Sequence, residues 1–150
     1  MHFAAFAYVG ESFHNPAIYY RNNVGDSLSL LETLIDPKNQ RTDNRRKSKS
    51  IPIVFSSSCA TYGIPDKKDI PITEKTKQEP INPYGRSKLM IEKMLEDFYT
   101  AYKLPSVILR YFNAAGADPE CQTGEDHTPE THLIPLIFDA LTGYQKSIKV

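Results

Sequence analysis

The chain has 150 residues, 24% of them charged, and its 18 lysines and arginines are balanced by 18 aspartates and glutamates. That balance leaves no global field to attract nucleic acid or an anionic membrane surface, and no apolar run suggests a membrane-spanning helix. Two cysteines, Cys59 and Cys121, give no disulfide framework, and Met1-His2-Phe3 lacks the basic and apolar regions of a signal peptide, so secretion is not expected.

In chain order, Phe3-Ala-Ala-Phe-Ala-Tyr-Val-Gly-Glu-Ser12 is expected to begin at or inside a strand. Its small residues would let a flat ligand approach the backbone; a plain strand end is the other account. Asn15-Pro16 is a cap-and-start signal for a helix. Ile18, Tyr19, Leu28, Leu31, Leu34 and Ile35 then carry a mostly helical apolar pattern through Ile35. Asn22 and Asn23 fall within it, and exposed amides are their simplest explanation. Residues 37–50 carry Lys38, Arg41, Arg45, Arg46, Lys47 and Lys49 against the single acid Asp43. They have neither apolar period nor aromatic interleaving, so a solvated loop is expected there, not a polyanion site.

Ile51-Pro-Ile-Val-Phe-Ser-Ser-Ser-Cys-Ala-Thr-Tyr-Gly63 is an apolar β-rich run breaking into small hydroxyl residues. A buried parallel strand delivers polar groups in this way at its carboxyl end, where open α/β sheets bind ligands. Residues 64–81 read as a proline- and charge-rich surface loop. Asn82 can cap a helix whose first position suits Pro83, and Ile91, Leu95, Phe98 and Tyr102 form its apolar face. Tyr84 and Lys88 fall four residues apart on one helix face. A free phenol has a pKa near ~10, and a cation one turn away is expected to favour the phenolate. Lys88/Glu92 and Lys93/Asp97 are possible intrahelical ion pairs, worth about 0.2–0.5 kcal/mol each, and the first of them is the structural rival to that role. Ser106 to Phe112 is expected as the next buried strand, followed by the loop Asn113–Asp118. Asn113 there could donate its amide to a phosphate or simply form a turn. Residues 118–132 contain Cys121, Glu125, Asp126, His127, Glu130 and His132, whose spacing fits no standard zinc pattern. A helix over Leu133–Leu141, ended by Gly143, and the start of a strand at Ser147–Val150 complete the chain.

Three linked motifs, Ser56-Ser-Ser-Cys-Ala-Thr-Tyr-Gly63, Pro83-Tyr-Gly-Arg-Ser-Lys88 and Leu109-Arg-Tyr-Phe-Asn-Ala-Ala-Gly116, closely resemble the extended short-chain dehydrogenase/reductase family. Within it they are most similar to the branch that epimerises UDP-sugars at C4. The similarity runs from His2 to Val150 and is interrupted only around the basic insertion at 37–50. It implies an α/β fold: part of a doubly wound parallel (Rossmann) sheet, without its first strands and most of the substrate lobe, which would begin at about 118–150. It also implies NAD as cofactor, a UDP-sugar such as UDP-glucose or UDP-galactose as substrate, no metal, a cytoplasmic setting and, for full-length relatives, a homodimer.

Site residues follow from the same resemblance. Tyr84 would act as catalytic base, Lys88 would lower its pKa and hold the nicotinamide ribose, and Ser58 would hold the sugar 4-oxygen. The NAD groove would be lined by Phe3, Ala4, Ala5, Phe6 and Ala7, although many relatives carry a lysine at Ala7. Asn22 would contact the cofactor and Phe112 would lie beside the nicotinamide. Asn113, His132 and Leu133 would contact the substrate. Related 4,6-dehydratases and decarboxylases carry an acid just after the hydroxyl residue, but here Cys59 and Ala60 follow Ser58. Two other outcomes stay open: a UDP-xylose/UDP-arabinose epimerase, and a remnant without catalysis. No Gly-x-x-Gly-x-x-Gly occurs in the chain, so its isolated form is expected to bind NAD weakly or not at all. The strand near residues 2–7 would also lack its family partner, and the exposed edge is expected to make the chain molten or aggregating.

Overall fold

The structure, a computed structural model, describes residues 1–36, 51–124 and 127–148. The basic insertion at 37–50, Glu125 and Asp126, and the last two residues of the strand expected at Ser147–Val150 lie outside them. The chain divides into two compact units, Met1–Phe112 and Asn113–Val150.

In the first unit the strand expected over Phe3–Ser12 does not form. Only His2 pairs, bridging Phe55 in parallel, with its N–H donating to the Val54 carbonyl at 2.8 Å. The reason lies four residues further on. The Phe6 N–H and C=O are both taken by the side chain of Asn23, at 2.8 and 3.0 Å, so they make no strand ladder. Val9–His14 instead winds into helix α1, and Asn15 terminates it. Pro16–Tyr19 forms α2 with its proline in the first turn, although the Asn15 side chain makes no capping bond. The expected continuous helix is broken by a π-helical turn at Tyr20–Gly25 before α3, Asp26–Ile35, ends at Ile35 as the apolar pattern indicates.

Strand β1, Ile53–Ser58, alternates buried and half-buried side chains, which points Ile53, Phe55 and Ser57 into the interior. Short 3-10 turns follow at Cys59–Thr61 and Lys67–Asp69. Helix α4, Pro83–Tyr102, starts as its sequence dictates: the Asn82 Oδ1 accepts the Gly85 N–H at 2.7 Å and Pro83 occupies the first turn. Of its expected apolar face, Ile91 and Leu95 are buried and Phe98 is half-buried. Tyr102 is 55% exposed and leans on Phe98 at the surface. Leu31, Ile53, Phe55, Ile91, Leu95 and Leu104 make the core, so α3 and α4 cover one face of β1.

Strand β2, Ser106–Tyr111, lies parallel to β1 in the register Ile53↔Ser106 to Ser58↔Tyr111. It is not the buried strand its composition suggests. The sheet among the described residues has two strands, β2 has a neighbour on one side only, and Val107 is 53% exposed.

In the second unit, α5 spans Leu133–Leu141 as expected and stops before Gly143, whose positive φ of 84° closes it. None of its residues is buried. Upstream, the Asp118 carboxylate accepts the backbone N–H groups of Glu120, Gln122 and Thr123, which hold its pKa below the ordinary carboxylate range. No described helix is long and apolar enough to cross a membrane.

Candidate active site

Three consecutive serines at the end of β1 meet three residues of α4 spaced by four. The Ser58 side chain faces the Tyr84 phenol closely enough to lower its pKa, the Ser56 carbonyl accepts from Lys88 Nζ at 2.8 Å, and the Ser57 hydroxyl donates to a Glu92 carboxylate oxygen. Spacings of four place Tyr84, Lys88 and Glu92 on one helical face, and the backbone lets that face come close. Gly85 is what permits the approach: a Cβ there would lie 2.5 Å from the Ala60 carbonyl oxygen. Gly63, at φ +65°, turns the chain where a Cβ would stand 2.0 Å from the Glu79 carbonyl oxygen.

Lys88 is buried, with its Nζ 5.0 Å from the centre of the Phe55 ring and 5.8 Å from that of Tyr84. Burial lowers its pKa to about 8. The expected Lys88/Glu92 pair does not form, because Lys88 is bonded to β1 and Glu92 is bonded to Arg110 of β2 at 2.8 Å. Lys93 likewise pairs with Glu96, not Asp97, in the open, where such contacts contribute little. Tyr84 departs from expectation in sign. Burial raises its pKa above the usual phenol value, and the neighbouring Ser58 side chain pulls it back in part. Desolvation therefore outweighs the phenolate-favouring effect expected from the Tyr-x-x-x-Lys spacing. His2, bonded to Ser27 Oγ at 2.9 Å, has its pKa lowered by burial and by the Lys88 and amino-terminal charges.

Behind Tyr84 lies Asn23, expected as an exposed amide and found in the interior, because its side chain holds backbone groups of Phe6. Asn23 is fully buried; besides gripping Phe6 it donates to Ser87 Oγ at 3.0 Å, and Ser87 donates to the Tyr84 carbonyl at 2.7 Å. It thus ties the Phe3–Ala7 segment to the first turn of α4. Asn22, the expected cofactor contact, is half-exposed and bonded to Asp26 at 3.2 Å. The signal was present: Tyr19, Asn23, Ser27 and Leu31 recur every fourth residue and are all buried. Tyr19 meets the Tyr84 ring edge-on at 6.5 Å, its own phenol fixed by the Tyr8 carbonyl and Glu11 and its pKa raised chiefly by burial.

The structure thus brings Ser58, Tyr84 and Lys88 together, with Phe3–Ala7 linked to them through Asn23. Phe3 and Phe6 are exposed, as are Ala4 and Ala7, with Ala5 half-buried. Phe112 is exposed and stacks on Tyr62 at 6.4 Å. Asn113, His132 and Leu133 belong to the second unit and are exposed there. In that unit His127, Glu130 and His132 gather ligand-type atoms within 4.8 Å, which their spacing in sequence did not suggest. Glu130 Oε1 already accepts the Thr131 and His132 N–H groups and bonds the His132 ring at 3.0 Å, a closed loop-holding arrangement.

A family profile described as GDP-mannose 4,6 dehydratase matches residues 1–150. A UDP-glucose 4-epimerase of Rhizobium meliloti is 49% identical over 150 residues, covering 100% of this chain and 42% of that protein. A probable UDP-arabinose 4-epimerase of Arabidopsis thaliana is 44% identical over 154 aligned residues, covering 100% of this chain and 34% of that protein. The crystal structure of a UDP-glucose 4-epimerase from Brucella ovis in complex with NAD superposes with a TM-score of 0.85 at 51% identity, covering 99% of this chain and 42% of that one. The chain therefore spans well under half the length of these relatives.

Proposed function

Because the chain belongs to the family described as GDP-mannose 4,6 dehydratase, matched along its whole length, we propose that it forms the central part of an NAD-dependent UDP-sugar 4-epimerase interconverting UDP-glucose and UDP-galactose. The observation that carries this reading is the convergence of Ser58, Tyr84 and the buried Lys88 at the carboxyl end of a parallel strand. Despite the family's description, Cys59 and Ala60 after Ser58 supply no acid for eliminating water, which favours epimerisation over dehydration.

The residues present fit one side of NAD. Lys88 has three ammonium hydrogens and one hydrogen-bond acceptor among the described residues, Ser56, so hydrogens are left for ribose hydroxyls. The Phe3–Ala7 segment offers small, exposed residues for a flat ring system, and Asn22 and Phe112 are the further contacts we assign to the cofactor. Bound NAD would supply the acceptor, and then the donor, of the hydride at sugar C4. The chain's own groups handle the proton. At neutral pH Lys88 carries its charge and Tyr84 is a neutral phenol beside Ser58. For the reaction Tyr84 must first release its own proton to solvent, with the Lys88 charge stabilising the phenolate; as the sugar 4-hydroxyl is oxidised, its proton then passes to that phenolate, directly or through Ser58. The 4-keto sugar turns over, and Tyr84 returns the proton when hydride comes back to the other face. Asn113, His132 and Leu133 are assigned to the nucleotide sugar, and the whole protein to a cytoplasmic homodimer, on the family resemblance alone.

A second reading, epimerisation of UDP-xylose and UDP-arabinose, is favoured by the similarity to the Arabidopsis protein. Residues 1–150 can replace the matching stretch of the Brucella ovis enzyme. That graft should interconvert UDP-glucose and UDP-galactose, and Tyr84→Phe should nearly abolish turnover while NAD stays bound. Turnover of the pentose pair alone selects the second reading. A folded, NAD-bearing graft active on neither pair overturns both.

A further inference from the structure

Glu92 carries a carboxylate with no exposed surface, and its partners come from three other segments. The Ser57 hydroxyl of β1 donates to Oε1. Arg110 of β2 reaches both oxygens from Nε at 3.1 Å and Oε2 from Nη2 at 2.8 Å. Gln78, in the loop before α4, donates to Oε2 at 2.9 Å. Arg110 spends its remaining hydrogens on the Tyr62 hydroxyl at 2.8 Å, the Glu74 carbonyl at 3.2 Å and Gln78 Oε1 at 3.2 Å. Replacing a buried ion pair by apolar side chains is often neutral or stabilising, so bulk stability does not by itself call for this hub. What the hub supplies is direction.

Glu92 sits one turn beyond Lys88 and two beyond Tyr84 on the same face, so fixing its carboxylate fixes the rotation of α4 about its axis. Ser57 lies between Ser56, whose carbonyl holds Lys88, and Ser58, whose side chain faces the Tyr84 phenol, so fixing it fixes the slide of β1 along the helix. A slip at this point displaces both partners of the pair at once. We propose that Glu92, held by Arg110 and Ser57, is a positioning residue for Tyr84 and Lys88; the proposal rests on the functional reading above.

Two variants test it. Glu92→Asp keeps the charge but shortens the reach by one methylene, and Ser57→Ala deletes only the strand-side bond. In the graft with the Brucella ovis enzyme, each should lower kcat per bound NAD, by tenfold or more for Glu92→Asp and severalfold for Ser57→Ala. KM for the UDP-sugar should stay within twofold. A purely structural role would reduce the yield of folded protein and leave kcat per bound NAD unchanged, which overturns the proposal. Should Glu92→Asp not fold, Ser57→Ala decides by the same criterion. Should the graft have no activity, the functional reading fails, and ultraviolet titration of Tyr84 in the 150-residue chain, against Tyr84→Phe, decides the positioning. A phenol moved towards its ordinary value in Ser57→Ala upholds the proposal, and an unmoved one overturns it.

Discussion

Lys88, assigned to the site under the proposed function, is buried at the expense of the fold. Its pKa is about 8 in the folded chain against an ordinary 10.5, and burial is the cause. Below pH 8 both states are protonated and the desolvation penalty is fully present. Between pH 8 and 10.5 the unfolded chain binds the extra proton, so stability rises with pH across that window. Urea unfolding followed by circular dichroism at low protein concentration should show the chain gaining about 2 kcal/mol between pH 7.5 and 9.5 relative to Lys88→Met. A constant difference between the two would mean that Lys88 is solvated. Asn23 makes a similar point without charge. Asn23→Ala would leave the Phe6 N–H and C=O unpaired and should destabilise the chain by about 1–3 kcal/mol, with faster amide exchange at Phe6 than at His2.

At the scale of elements, the site depends on how closely the first turn of α4 can press on the turn after β1. Asn82 and Pro83 start the helix at the right residue, and Gly85 lets it touch the Ala60 backbone. Gly85→Ala would put a methyl carbon 2.5 Å from a carbonyl oxygen that belongs to the backbone and cannot simply rotate away. Overpacking of this kind costs about 1–3 kcal/mol, and the helix must retreat from Ser58 to relieve it. The graft carrying Gly85→Ala should therefore lose turnover by more than its loss of thermal stability explains. Full kcat in that variant would show that the Tyr84–Ser58 approach tolerates displacement. The π-helical turn at Tyr20–Gly25 is the other element with a visible consequence. It keeps Tyr19, Asn23, Ser27 and Leu31 buried in a four-residue recurrence that a regular helix would rotate off the core.

For the whole molecule, the two units differ in what they can hold alone. Met1–Phe112 keeps a core of six buried residues around β1, so complete loss of structure is not what this half predicts. In Asn113–Val150 the helix α5 buries nothing, and Leu133, Phe138 and Leu141 are 50%, 61% and 76% exposed. Open apolar surface of this kind, together with a free edge on β2, favours self-association. The isolated chain should form oligomers at tens of micromolar and be cleaved first within residues 113–148 by limited proteolysis. A monodisperse 17.0 kDa monomer at that concentration, with a sharp reversible thermal transition, would contradict this. Calorimetric titration of the same chain with NAD should give a dissociation constant weaker than micromolar, since its contacts address one side of the cofactor and it contains no glycine-rich turn. Micromolar binding would show that the described half suffices.

Local chemistry was enough for several features. The start of α4 follows from Asn82-Pro83, the end of α5 from Gly143, the strand at Ile53–Ser58 from its apolar run, and the Tyr84/Lys88 pairing from helical spacing. Each depends on residues a few positions apart, where backbone geometry leaves little choice. Partners and signs were settled only by tertiary structure. Glu92 could bond Lys88 within its helix or Arg110 across the sheet, and the desolvated interior selected the arginine that reaches both carboxylate oxygens while the Ser56 carbonyl took Lys88. Phe6 could join a strand ladder or accept an amide, and Asn23, seventeen residues away, decided it. The direction of the Tyr84 shift belongs here too, because a phenol's pKa depends on how much water the fold removes around it, and no sequence spacing reports that quantity.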